Sequence, residues 1–127
     1  MTSYSRLNEE ERKYVLMNSV RSFVIKECQD DAERETERRF GYNGRNDETD
    51  AFRHCMWSGL ISKRISHSEA IKFTTMHEMQ DVNDFAEKSM DLHSNKIGAE
   101  IGQNVGSERS IADECYKALH QGKPKFY

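Results

Sequence analysis

The chain is poor in proline. Its only one, Pro124, stands near the end of 127 residues, so nothing earlier is barred from a helix by ring geometry. Long apolar runs are missing too. No stretch approaches the roughly 18 residues that span a bilayer, and the opening MTSYSRLNEEERK has no apolar h-region. Neither a membrane span nor a cleavable signal is expected. Synthesis in the cytoplasm is expected, with any export left to a dedicated secretion system or a fused carrier. Cysteine is scarce: Cys28, Cys55 and Cys115 are odd in number and widely spaced, with no C-x-x-C pair. A disulfide framework is therefore excluded, and buried, reduced thiols are expected. Charge of one sign is missing as well, with 19 basic against 22 acidic residues and a net charge of −3. That balance excludes a general nucleic-acid binder and an acidic tail.

Alternating β-branched runs, internal repeats and low-complexity segments are absent, which leaves an all-α chain. Start and stop signals divide it into about five helices in a single compact bundle over residues 1–127. Asn8-x-x-Glu11 caps a long first helix whose apolar face carries Leu16, Val20, Phe23, Val24 and Ile25. The charge run DDAERETERR after Cys28 reads as its solvated extension. Gly41-Tyr-Asn-Gly-Arg-Asn is a loop, and Asp47 or Thr49 caps a helix over 48–64. Ser66-x-x-Glu69 opens a third over 67–79, Asp84-x-x-Glu87 a fourth over 85–104, and Gly106-Ser107 precedes a fifth over 108–121. Gly122 and Pro124 close that last one.

The second helix carries the most specific pattern. At about 100° per residue, positions i, i+3, i+4 and i+7 share one face. Asp50, Arg53, His54 and Trp57 therefore point together, opposite Phe52, Cys55, Met56, Gly59 and Leu60. On the third helix His77 falls in the packing stripe with Ala70, Phe73 and Thr74, and Glu78 lies at its edge. On the fourth, Asp91 and Asn95 flank a stripe of Met90, Ser94, Ile97, Gly98 and Ile101, while His93 faces solvent with Lys96 and Glu100. Gly98, Gly102 and Gly106, four apart, suit a close helix crossing.

Familiar catalytic signatures do not appear. There is no H-E-x-x-H, the Asp81-Val-Asn-Asp84 turn lacks calcium-loop spacing, and no serine or cysteine sits in an elbow. What remains is a polar set from three helices that must satisfy itself, bind something or line a wet cleft. His54, His77 and Asp91 are the candidate catalytic groups and the candidate ligands of a divalent metal, whose presence spacing leaves open. Arg53, Trp57 and Asn95 are the candidate substrate-binding groups, with Asp50 and Glu78 in support.

Three blocks in order, Asp50-Ala-Phe-Arg-His54-x-x-Trp57, His77-Glu78 and Met90-Asp91-Leu-His-Ser-Asn95-x-x-Gly98, resemble an uncharacterised domain of bacterial and phage proteins. That domain often ends wall-associated and polymorphic-toxin proteins. Its pattern runs D-A-[FY]-R-H-x-x-W, H-E, then M-D-[LI]-[YH]-N-N-x-x-G, and it covers about residues 40–105. Ser94 departs from it, standing where an asparagine is usual. The resemblance implies a toxin-like or effector context without a settled reaction.

Two functions are open at this point. In the first the chain is a small hydrolase acting on an anionic, phosphate-containing substrate such as a lipid head group, nucleotide or cell-wall precursor. Histidine would act as base or ligand and Arg53 would hold the anion. In the second it is a non-catalytic binding module. The same polar set would then be a structural network, and the charged segment or the GKPKFY tail would dock a partner. The resemblance adds an immunity or carrier protein as a candidate partner.

Overall fold

A computed structural model describes residues 9–80 and 85–121, the side chains of 9–17 and of 80 excepted. Among these residues there are five helices and no strand: α1 (Glu9–Phe40), α2 (Glu48–Arg64), α3 (His67–Gln80), α4 (Phe85–Asn104) and α5 (Glu108–His120). The bounds expected for α2 and α4 agree to the residue. Those of α3 and α5 differ by one residue at the C-terminal end, where helices fray. Asn8, Leu16, Asp81–Asp84, Gly122 and Pro124 lie outside the described residues or side chains.

Capping is largely where the sequence places it. Asp47 accepts from the backbone N–H groups of Thr49 and Asp50, and Ser66 Oγ accepts from Glu69 N at 3.1 Å. Ser107 caps α5 through Ser110 N. Glu69 does not close a reciprocal box, since its carboxylate turns to Arg21 on α1, 3.4 Å away.

Helix α2 is the axis of the bundle. Twelve of its 17 residues are buried, because every other helix packs on it. Its apolar side, Phe52, Cys55, Met56 and Leu60, joins Ile111, Ala112 and Cys115 of α5. The closest crossing is with α4. A Cβ on Gly98 would drive into the Cys55 backbone, and one on Gly102 into the Gly59 carbonyl. Ser58 Oγ donates to Asn95 O at 2.5 Å and Ser62 Oγ to Ala99 O at 2.7 Å. Both contacts join residues 37 apart in the chain, so α2 and α4 run parallel in a fixed register. Gly106 lies past the end of α4 and meets nothing within 4 Å.

Helix α1 corrects the sequence reading. Its apolar half was expected to pack and its charged half to be solvated. Val20 and Phe23 are instead 74% and 69% exposed, and of the described side chains of that set Val24 and Ile25 reach the core. In the charged half, Ala32 and Thr36 are fully buried. Arg39 pairs with Glu35 and Asp113 and lies over the Phe52 and Tyr116 rings. Small residues four apart dock there while the long charged side chains reach round them. His93 is half-buried rather than solvent-facing.

All three cysteines are free and buried. Burial pushes the Cys28 thiol up to about 11, against the pull of Arg64, and Cys115 is raised for the same reason. Among the described residues no helix is long and apolar enough to cross a membrane.

Candidate functional site

The register that brings Ser58 to Asn95 also brings His54, one turn earlier on α2, to Asp91, one turn earlier on α4. His54 Nε2 lies 3.5 Å from Asp91 Oδ2 and 3.4 Å from Glu78 Oε1 of α3. Its other ring nitrogen, Nδ1, lies 3.1 Å from Asp50 Oδ1 and 2.9 Å from the Asp50 carbonyl. One imidazole is thus ringed by three carboxylates from three helices.

The loop before α2 sets the Asp50 side. Asn46 adopts φ 58°, a left-handed conformation that asparagine tolerates better than most residues. Its backbone N–H donates to Asp50 Oδ2 at 2.7 Å. Its side-chain amide donates to Glu87 of α4 at 2.7 Å, so the loop is tied to the start of α4. Arg53 completes the clamp, donating to Asp50 Oδ1 at 2.5 Å, to the Gly44 carbonyl at 3.0 Å and to Asn43 Oδ1 at 3.2 Å.

These contacts set the charges. Burial works against a charged His54, but Asp50, Glu78 and Asp91 outweigh it and hold the imidazolium up to about 10. Burial also pushes the Asp50 carboxyl up, yet His54, the Asn46 N–H and Arg53 keep it below the usual range. Glu78 is held low chiefly by His54, again against burial. Asp91 is the exception. Burial, with the negative charges of Glu78 and Asp50, outweighs the pull of His54 and raises it to about 7.

The cluster forms one wall of a cavity of 290 Å³. Asp50, Arg53, His54, Trp57, His77 and Asp91 line it, together with Gln29, Ala32 and Glu33 of α1 and Arg45 and Asn46 of the loop. The shared face expected on α2 is therefore the face that meets the cavity. Trp57 is buried, donates its Nε1–H to the Ile25 carbonyl at 3.3 Å and meets the His77 ring edge-on at 5.2 Å. It anchors α1 as well as lining the space.

On α3 the phase differs from the expectation. His77 is exposed at the rim, and Glu78 is the buried residue, fully enclosed with Ala70 and Thr74. The spacing 70, 74, 78 was the available signal. An acid at its end hid the stripe from a search for apolar residues. His77 is accordingly not part of the tightest cluster. The ligand atoms of Asp50, His54 and Asp91 lie within 4.8 Å of one another. Arg45, Gln29 and Glu33 went unremarked in the sequence, since nothing local marks a loop arginine or a helix α1 carboxylate as cavity-facing.

Several buried polar atoms at this end have no hydrogen-bond partner: both oxygens of Glu78, Asp91 Oδ1, Ser94 Oγ and both ends of the Asn95 amide. Native interiors leave few such groups, and each calls for a partner such as a water, an ion or a ligand.

Residues 12–123 match the family model described as a domain of unknown function, DUF6973, and the chain belongs to that family. No curated protein and no solved structure matches it.

Proposed function

We propose that this DUF6973 chain is a small hydrolase of toxin-like ancestry acting on an anionic, phosphate-containing substrate: a lipid head group, a nucleotide or a cell-wall precursor. The observation that carries the reading is buried Asp91, its Oδ1 unpaired, beside the His54 imidazolium on the wall of a solvent-reachable cavity, with the unpaired Glu78 carboxylate behind them. A closed structural network would pair those oxygens, and a reactive site leaves them for substrate and water. Arg53 and His54 supply positive charge facing the cavity. Three of the five Arg53 N–H groups are spent on protein acceptors, so the guanidinium is rigid and its remaining donors are pre-aimed.

In the reaction, the oxygen of a water forms a bond to phosphorus as the bond to the leaving oxygen breaks. The water gives up a proton to the acidic cluster, where Asp91 exchanges protons near neutral pH. The leaving oxygen takes the electron pair and a proton from the rim, where His77 stands against Trp57. Trp57 bounds the space, Asn95 lies buried behind it rather than on its wall, and Asp50 fixes the His54 ring.

Expression in a bacterial host, in cytoplasm and periplasm, tests the toxin half, and cleavage of a panel of phosphodiesters, read as phosphate freed from the monoester product by an added phosphatase, tests the chemistry. His54→Ala is expected to abolish toxicity and turnover while the helical circular-dichroism signal persists. If the wild-type chain is harmless in both compartments and releases no phosphate, the reading fails.

The binding-module reading draws on the engagement of Arg53 and Asp50 with the loop. Under it, His54→Ala lowers the melting temperature and no separate function is lost. A carrier or immunity protein is then the partner to seek by co-purification.

A further inference from the structure

Glu78 is fully buried, and neither of its oxygens has a hydrogen-bond partner. Asp91, also buried, stands against the same imidazole nitrogen, 3.5 Å from His54 Nε2 where Glu78 is 3.4 Å. When both are ionised, two buried carboxylates so placed call for a positive centre between them. The His54 distances identify its kind. A charge-assisted N–H···O bond closes to about 2.7–2.9 Å, whereas His54 Nε2 stands 3.4 and 3.5 Å from the two carboxylates. Donors bonded to one tetrahedral ion at about 2.0–2.1 Å lie about 3.3–3.4 Å apart.

We infer that His54 Nε2, Glu78 and Asp91 are three ligands of a divalent cation of the zinc or manganese class, with its fourth position open to the cavity. Asp50 is not a ligand, despite its proximity. Its oxygens are already taken by Asn46 N–H, Arg53 and His54 Nδ1. Asp50 is a positioning residue instead. By holding Nδ1–H it turns Nε2 toward the ion, the carboxylate–histidine arrangement that metal sites use. One imidazole with two carboxylates suits zinc or manganese, and falls short of the six to eight oxygens that calcium takes. What the ion would do there, polarising a phosphoryl oxygen and acidifying a bound water, rests on the hydrolase reading. Its binding does not.

The test uses the full chain, stripped with a chelator and dialysed against Zn²⁺ or Mn²⁺, with Co²⁺ as a spectroscopic probe. One ion per chain is expected, with the strong visible absorption of a four-coordinate cobalt site. Glu78→Gln and His54→Gln should each weaken binding at least a hundredfold, and Asp50→Asn about 10–100-fold. Circular dichroism checks that each variant folds, and the wild-type cobalt spectrum decides if they do not. A folded wild-type chain that takes up no ion at millimolar Zn²⁺ or Mn²⁺ overturns the inference. So does a weak cobalt spectrum of six-coordinate type, or binding that a folded Glu78→Gln variant leaves intact. Turnover by a chain that takes up no ion would sink the cation and spare the hydrolase. A bound ion without turnover on any phosphodiester would do the reverse.

Discussion

The α2–α4 crossing is built in two ways along its length. From Ser58 onward it is closely packed: glycines bring the backbones together, and the Ser58 and Ser62 hydroxyls donate to facing carbonyls. One turn earlier the same two helices, in the same register, meet through His54 and Asp91 at distances too long for good hydrogen bonds, with oxygens unpaired around them. The closed end needs nothing from the open end to hold its geometry. Close packing and unpaired polar groups thus follow one another along one pair of helices.

Substitutions sharpen that separation. The largest effect is expected at the closed end. Gly98→Val places side-chain carbons inside the Cys55 backbone and should cost about 3 kcal/mol or more, read as a loss of cooperative unfolding. Next comes Arg64→Ala. Arg64 joins Glu108 at 2.8 Å, Asp31 at 2.7 Å and Glu27 at 3.3 Å, tying α1 and α5 to the end of α2. Its loss should cost about 1–2 kcal/mol in chemical denaturation, and less in high salt. At the open end the sign should invert. Asp91→Asn in chelated protein supplies an amide donor to Glu78 and should raise stability by about 1 kcal/mol. A loss of 3 kcal/mol or more there would mean the cluster is part of the scaffold after all.

The smallest effect concerns acid. Glu35 is held low by hydrogen bonds from Arg38 and Arg39, against burial, and Glu108 by its bond from Arg64. A carboxylate lowered in the fold contributes stability above its unfolded value, and that contribution is lost as pH falls through the folded one. The melting temperature should therefore begin to slip below about pH 4.5, and the Arg64→Ala variant should slip less.

Much of this arrangement was legible from spacing. The face Asp50, Arg53, His54 and Trp57 meets the cavity, and Gly98 and Gly102 mark the crossing, because both patterns are local to one helix and repeat with its turn. What escaped depended on neighbours. Glu78 is enclosed because α3 lies on α2 along Ala70 and Thr74, and no propensity of its own predicts an acid there. The ends of α1 differ from the expectation because small residues, Ala32 and Thr36, let the charged half approach, while Val20 and Phe23 stay exposed among the described residues. The convergence of Glu78 with Asp91 required the register of three helices at once, and only the fold supplies that.

Because α2 and α4 run the same way, their peptide dipoles add rather than cancel, and both leading ends lie on the cavity side of the molecule. Each leading end carries partial positive charge from unpaired amides. Asp50 and Glu87 sit in those first turns, and Asp91 follows one turn along α4, whereas Glu78 stands near the trailing end of α3. An antiparallel α2–α4 pair would set a positive end against a negative one, and would favour Asp50 or Glu87 but not both.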